Sequence, residues 1–275
     1  MERFLNTDIC LKNYTKLYNT SYFVDKSTII EDLNSRIGIN NQYIYISRPI
    51  QFGKTNIADM IGAYYCKEVN SKEIFDTLKI KNANSYDEYL NKYNIIKISF
   101  NEITDNNHDT YESYIDRIKS ILIEDIIKAY PNLKNNNYEN KAISDLLMDT
   151  EDEFIFILDE WDYIFRAKLF KENQSDFSRF LMNLLKDKSY VALCYMTGVL
   201  PIQTYDLDMF NEFKFLKDRK FEKYFGFTEE EVKLLCAKSK NTSFKEIKEC
   251  YDSYLSDTNI KLYNPHSVIF ALENN

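Results

Sequence analysis

Four short apolar runs stand out along the chain. They are YIYIS at 43–47, IIKISF at 95–100, FIFIL at 154–158 and YVALCYM at 190–196. Each run is nearly continuous instead of alternating, which is typical of parallel strands whose two faces are both covered by helices. The pattern therefore predicts four buried parallel strands.

The segments between these runs have helical spacing. In the segment 109–130, apolar side chains recur every three or four residues, as at Tyr111, Ile115, Ile118 and Leu122. The segments 55–69 and 174–187 repeat this pattern. Strands that alternate with helices predict right-handed crossovers and an α/β fold of three layers, a parallel sheet flanked by helices.

The pattern changes after Pro201. Helices are predicted at 228–239 and 243–255, because Thr228 and Ser243 are suitable N-caps and each is followed by Glu at the third position. A last helix is predicted to begin near Pro265. We therefore predict a core domain at 1–204 and a small helical appendage at 205–275.

Composition and charge indicate which binding partners and which cellular compartment to expect. A net charge of −8 and a pI of about 5.1 disfavour direct nucleic-acid binding. The five cysteines are scattered without a CxxC pair, as is usual for reduced thiols. No apolar run approaches the roughly 20 residues of a membrane span, and the N-terminus lacks a signal-peptide core. We expect a cytoplasmic protein with no membrane partner.

The first candidate site is QFGKT at 51–55, separated by three residues from the end of the first predicted strand. Gly53, Lys54 and Thr55 match the end of the phosphate-loop pattern G-x-x-x-x-G-K-[ST]. Backbone N–H groups at a helix N-terminus attract phosphate. We expect Lys54 to bridge the β- and γ-phosphates of ATP and to act in catalysis, and the Thr55 hydroxyl to bind Mg²⁺. A Gly-Lys-Thr at a helix start without a ligand is the alternative.

The neighbouring residues Gln51, Phe52 and Asn56 are also predicted to contact the nucleotide. Arg48 stands where the pattern has its first glycine, and Pro49 removes one N–H donor. We predict that the Arg48 guanidinium replaces the lost amide contacts to phosphate.

The second candidate site is the Asp159–Glu160 pair at the end of the third run. Asp159 is expected to hold Mg²⁺ through a water, and Glu160 to orient or deprotonate the attacking water. Helix capping by Asp159 is an alternative that is compatible with metal binding. Asp162 is expected to face the helix cap or solvent, and Trp161 to pack in the core.

A third element of the candidate site is Thr197, at the end of the fourth run. A polar residue there is placed to sense the γ-phosphate and to take part in catalysis. An ordinary strand end is the alternative.

Taken together and in order, these motifs resemble those of the bacterial AAA-ATPase-like family, which is often fused to a C-terminal PD-(D/E)xK nuclease-like domain. The resemblance rests on YFVDKS at 22–27, SRPIQFGKT at 47–55, ILDEWD at 157–162, TGVLPI at 197–202, FGFTEEEV at 225–232 and LYNPHSV at 262–268. It implies a P-loop NTPase fold with ATP and Mg²⁺ as cofactors, and makes the missing first glycine a family trait. The family usually has two arginines at the positions of Ile50 and Gln51.

The nuclease-like domain of the family is expected to be absent from this chain. The E-x-K spacing at 246–248 lies in a helical pattern and is expected to be a solvated face. We therefore predict no nuclease activity.

The leading functional prediction is an ATP-hydrolysing switch that relays motion to a protein partner or to another copy of itself. Arg219 is either an arginine supplied to a neighbouring subunit or an exposed surface charge. The alternative function is a non-catalytic nucleotide-binding or protein-interaction module.

Overall fold

The main sheet has five parallel strands. The computed structural model describes residues 3–103, 110–136, 141–202, 205–239 and 242–274. The strands are β1 (Tyr43–Ser47), β2 (Asn94–Ser99), β3 (Phe154–Asp159), β4 (Val191–Gly198) and β5 (Asn211–Lys214), in the order β2-β3-β4-β1-β5. Because all five run in the same direction, their carboxyl ends meet at one edge.

Twelve α-helices lie within the described residues. They are α1 (Ile9–Tyr18), α2 (Ile29–Asn34), α3 (Lys54–Tyr65), α4 (Lys72–Phe75), α5 (Tyr86–Tyr89), α6 (Tyr111–Ala129), α7 (Ile143–Asp149), α8 (Tyr163–Arg166), α9 (Gln174–Leu185), α10 (Glu229–Ser239), α11 (Phe244–Cys250) and α12 (Pro265–Asn274). Within the described ranges, no helix is both long and apolar enough to span a bilayer.

The sheet separates two apolar cores, one on each face. Along β3, Phe154, Phe156 and Leu158 point into the core that contains α6, α7 and α9. Ile155 and Ile157 point into the core that contains α1, α2 and α3. Since both faces are buried, every position of the strand favours an apolar residue, which explains the continuous runs. The predicted three-layer α/β fold is confirmed.

The C-terminal segment differs from the predicted helical appendage in two respects. Residues Asn211–Lys214 form β5, which pairs with β1, so the main sheet extends beyond residue 204. A second, antiparallel sheet joins β6 (Phe227–Thr228), β8 (Lys261–Tyr263) and β7 (Tyr254–Leu255). These strands of two to four residues are too short to give a recognisable pattern. The division at 204 stays a prediction.

Both predicted helix starts in this segment have reciprocal side-chain caps. The Ser243 hydroxyl accepts a hydrogen bond from the Glu246 N–H, and the Glu246 carboxylate accepts from the Ser243 N–H. Thr228 and Glu231 make the same pair of bonds. Capping boxes of this kind satisfy N–H groups that a helix leaves unpaired.

Candidate functional site

The candidate phosphate loop, residues 48–53, joins the carboxyl end of β1 to α3. The Arg48 N–H donates to the Gly198 carbonyl at the end of β4, with an N–O distance of 3.0 Å. Gln51 and Gly53 both have left-handed backbones, with φ of 66° and 84°. Glycine adopts this conformation without steric cost, whereas Gln51 does not. The loop leads into the N-terminus of α3, a 12-residue helix. Backbone dipoles at this N-terminus favour an anion.

Lys54 is buried at the first position of α3. Its ammonium donates to the carbonyls of Arg48 at 3.2 Å and Pro49 at 3.1 Å. It also lies 3.3 Å from Oε1 of Glu160. The structure therefore brings Lys54 and the acidic pair together at the carboxyl edge of the sheet.

The acidic pair is tied to the neighbouring strand by Thr197. Asp159, only 2% exposed, accepts a hydrogen bond from the Thr197 hydroxyl. The same hydroxyl accepts from the Glu160 N–H at 3.3 Å. Glu160 has a left-handed backbone with φ of 53°, which is unusual for a residue with a side chain and often marks a functional position. Thr197 is thus a direct partner of both acidic residues.

An arginine that sequence reasoning missed completes this group. Arg166, in α8, contacts Oε2 of Glu160, and its Nε lies 3.2 Å from Oδ1 of Asp162. The signal in the sequence is the spacing of Asp162 and Arg166, four residues apart in a helical segment.

Of the two orientations predicted for Asp162, the one toward solvent is wrong, and its side chain makes no cap hydrogen bond although the residue stands at the N-cap of α8. Asp162 is fully buried, and its Oδ2 accepts hydrogen bonds from the N–H groups of Val199 at 2.8 Å and Leu200 at 2.6 Å. It joins the segment after β3 to the segment after β4. Trp161, 3% exposed, packs against Tyr45 and Phe165 as predicted, with ring centroids 5.8 and 5.2 Å apart.

The structure gives the Arg48 side chain partners away from the phosphate loop. Its guanidinium donates to Asp218 and to the carbonyl of Phe213, both at 2.6 Å, and lies over the ring of Phe225. Burial lowers the pKa of Arg48, and the negative charge of Asp218 opposes that shift. The predicted phosphate contact is therefore corrected: this side chain fastens the start of the loop to β5 and the segment that follows it.

Phe52 fastens the other end of the loop. Its buried ring packs against Phe215 and Tyr254, with centroids 5.0 and 5.5 Å apart. Its carbonyl accepts a hydrogen bond from the Gly226 N–H at 3.1 Å. Gln51, by contrast, is exposed, as are Thr55 and Asn56 in the first turn of α3. The backbone of the loop is thus held from the C-terminal segment while its outer face stays accessible.

A cavity of about 210 Å³ lies beside this loop. Its lining is mainly apolar and comes from four parts of the chain: α1 (Tyr14, Leu17), the YFVDKS segment (Tyr22, Val24, Lys26), the phosphate loop and α3 (Phe52, Gly53, Asn56), and the C-terminal segment (Gly226, Phe227, Pro265). Lys26 joins two of these parts, because its ammonium binds both carboxylate oxygens of Glu231 and the carbonyl of Lys223, each at 2.7 Å.

A larger cavity, of about 1080 Å³, lies beside the edge strand β2 and contains no residue of the phosphate loop or the acidic pair. Its charged wall includes Lys97, whose ammonium lies 2.5 Å from Asp59 of α3. Arg219, the arginine that the sequence offered as a candidate for a neighbouring subunit, is exposed in the turn after β5. Neither feature belongs to the group formed by Lys54, Asp159, Glu160, Thr197 and Arg166.

One comparison with known proteins, the match to a family model, shows the family of this chain. The family model described as predicted AAA-ATPase, AAA-ATPase-like, matches residues 8–208. No curated protein matches the sequence. The solved structure of C. elegans PCH-2 is similar over 75% of this chain and 41% of its own length, with 14% sequence identity and a TM-score of 0.29. This chain therefore spans less than half of that structure. Since the family model covers most of the sequence, the chain belongs to the predicted AAA-ATPase-like family.

Proposed function

We propose that this protein binds ATP with Mg²⁺ and hydrolyses it. The observation that carries the proposal is the 3.3 Å ion pair between Lys54 and Glu160, beside an Asp159 that is bonded to Thr197. Phosphoryl transfer to water needs a cation near the γ-phosphate, a carboxylate near the attacking water and a metal ligand. These groups meet at one edge of the sheet.

The nucleotide would lie across the start of α3. Its triphosphate would contact the N–H groups of the phosphate loop, and its base would enter the 210 Å³ cavity beside Phe52 and Asn56. The apolar lining of that cavity suits the flat face of a base. Gln51 and Gly53 would contact the phosphates through their backbone N–H groups. The Gln51 side chain is exposed to solvent.

The residues available for Mg²⁺ fit this ion. The Thr55 hydroxyl is exposed in the first turn of α3, and the Asp159 carboxylate ends β3. Both offer the hard oxygen donors that Mg²⁺ prefers, and it commonly uses one or two carboxylates together with phosphate oxygens. When bound, Mg²⁺ would neutralise charge that develops on the phosphates.

The chain's own residues would supply the remaining steps. Lys54 would turn from Glu160 to the γ-phosphate, where its charge is stabilising. Glu160 would then accept a proton from water as the water oxygen attacks phosphorus and ADP leaves. Thr197, bonded to Asp159 and to the Glu160 backbone, would hold both acids in place.

Such a reaction would couple the core to the C-terminal segment. The phosphate loop is bonded to Gly226 through Phe52, and the cavity is shared by both parts of the chain. A change of nucleotide would shift these contacts. A protein partner or a second copy of the chain would bind the shifted surface differently. We place this switch in the cytosol, in line with its five free thiols.

A non-catalytic nucleotide-binding module is the second candidate. It is favoured by the fact that cations, Lys54 and Arg166, engage both carboxylate oxygens of Glu160. In such a module Glu160 would be structural and turnover would be absent.

Hydrolysis and binding measured on the same samples test the proposal. Wild-type protein should release phosphate from ATP in the presence of Mg²⁺ and stop when EDTA is added. Lys54→Ala should bind nucleotide much more weakly, whereas Lys245→Ala, at an exposed lysine of α11, should not. Wild-type binding without turnover would favour the non-catalytic module.

A further inference from the structure

Asp162 and Arg166 link the segment after β4 to Glu160. The N–H groups of Val199 and Leu200 hold Asp162, which is fully buried. Asp162 lies 3.2 Å from the Arg166 Nε, and the Arg166 Nη2 contacts Glu160 Oε2. The Nε–Oδ1 contact is an ion pair and not a hydrogen bond, since neither atom has a hydrogen-bond partner among the described residues. The guanidinium nevertheless lies between the two carboxylates and contacts both, which a single ammonium does not do in the same way.

The two oxygens of Glu160 have different partners. Oε2 is held by Arg166, whose side chain is only 21% exposed, and Oε1 faces Lys54 at 3.3 Å. If the γ-phosphate draws Lys54 away, Oε1 becomes free to accept a proton while Oε2 stays held. The left-handed backbone of Glu160 also limits where its side chain can go.

We infer that Arg166 is a positioning residue that holds Glu160, in the same chain, with one oxygen directed at the attacking water. The inference rests on the proposed ATPase function and adds a residue to it. Asp162 is the support for Arg166, and the segment after Thr197 is the support for Asp162. The orientation of Glu160 thus depends on β4 and the segment after it, and Thr197 of β4 also binds Asp159.

The test is Arg166→Ala, with Arg166→Lys as a second variant and Arg179→Ala as the control. Arg179 is 58% exposed and pairs with Asp176 within its own helix, so its loss should leave turnover unchanged. Arg166→Ala should lower kcat about 10- to 100-fold, the effect of misplacing a catalytic group by about an ångström. KM and the Kd for Mg-ATP should change less than about threefold, because Arg166 does not hold the nucleotide.

Two further readouts separate positioning from folding. Arg166→Lys should recover only part of the lost kcat, since an ammonium cannot contact both carboxylates in the same way. Millimolar guanidinium chloride should raise the kcat of Arg166→Ala, whereas sodium chloride at equal concentration should not. Mixing Arg166→Ala with Glu160→Gln chains should restore no activity, because the two groups act within one chain.

Several outcomes would overturn the inference. These are a kcat of Arg166→Ala that equals or exceeds the wild-type value, a loss of nucleotide affinity that matches the loss of kcat, or restored activity in the mixture. A wild-type chain that binds ATP without hydrolysing it would overturn the proposed function and this inference together. Normal wild-type turnover with an unaffected Arg166→Ala variant would overturn this inference alone.

Discussion

Lys54 and Glu160 form an ion pair between the start of α3 and the residue after β3, with Nζ and Oε1 separated by 3.3 Å. The pair connects the phosphate loop to the acidic pair across β4, the strand that lies between β1 and β3. A γ-phosphate that binds Lys54 must compete with Glu160 for the same ammonium. The relationship therefore predicts how Glu160 affects nucleotide affinity.

Replacing Glu160 with Gln should tighten the binding of Mg-ATP. The neutral amide competes less well than the carboxylate for the Lys54 ammonium. Both side chains are largely buried, so we expect at least the roughly 1 kcal/mol of a good exposed pair, or a Kd lower by about fivefold or more. Equilibrium titration with a fluorescent ATP analogue measures the change. Glu172→Gln, at an exposed position, is the control and should match the wild type. Weaker binding by Glu160→Gln would mean that the carboxylate itself contributes to the nucleotide site.

Replacing Arg48 with Met should destabilise the fold and leave nucleotide affinity unchanged. The substitution leaves Asp218 buried without its guanidinium partner, and breaking a buried ion pair costs about 3–5 kcal/mol. Two backbone N–H groups also bind Asp218, so we expect the lower end of this range. Urea unfolding gives the free energy, with the exposed Arg179→Met as control. An unchanged urea midpoint combined with weaker nucleotide binding would support the predicted contact between Arg48 and phosphate.

Gly198→Ala should disturb the region around the single tryptophan. A Cβ at Gly198 would lie 2.7 Å from the Tyr45 hydroxyl oxygen and 2.9 Å from both Asp162 Oδ1 and Trp161 Cδ1. Overpacking of this kind costs about 1–3 kcal/mol. Because Trp161 is the only tryptophan, its fluorescence reports on this site directly. We expect greater iodide quenching and a lower urea midpoint for Gly198→Ala.

The matched control for Gly198→Ala is Gly38→Ala. A Cβ added at Gly38 would meet no atom of a packed neighbour within 4 Å, although the positive φ of Gly38 gives the variant some backbone strain. Gly38→Ala should therefore lose some stability without any change in the emission of Trp161. Identical emission from both variants would show that Gly198 is not crowded.

The thiols should divide into one reactive cysteine and four protected ones. Cys250 is exposed, whereas Cys10, Cys66, Cys194 and Cys236 are buried. Burial raises the pKa of each buried thiol, to about 12 for Cys10, so little reactive thiolate forms at neutral pH. A thiol assay with DTNB should count one fast group in the native protein and five in denaturant. Cys250→Ser should remove the fast group, and a fast group that survives this change would contradict the structure.

The strands that were predicted correctly are those buried on both faces, since burial dictates an apolar residue at every position. Thus β1 coincides with the predicted run at 43–47, and β3 differs by one residue. Strand β5, with sequence NEFK, lies at the edge of the sheet and is only partly buried, so its sequence carries no comparable signal.

The candidate site was predictable where it depends on local motifs and not where it depends on distant partners. Lys54, Asp159 and Thr197 each lie at or next to the end of an element, and parallel strands bring such positions to one edge. Asp218, the partner of Arg48, lies far along the chain, and nothing near Arg48 in the sequence points to it. The buried role of Asp162 likewise depends on the backbone after β4, which brings two N–H groups to a carboxylate that would otherwise favour solvent.

In the reaction that we propose, Glu160 acts on the water that attacks ATP. The most direct measurement is the steady-state release of phosphate by the wild type and by Glu160→Gln, with ATP binding measured on the same samples. We expect Mg²⁺-dependent turnover by the wild type, and a rate lower by about 100-fold or more in the variant, which still binds ATP. Equal rates for the two proteins, with ATP bound by both, would contradict it.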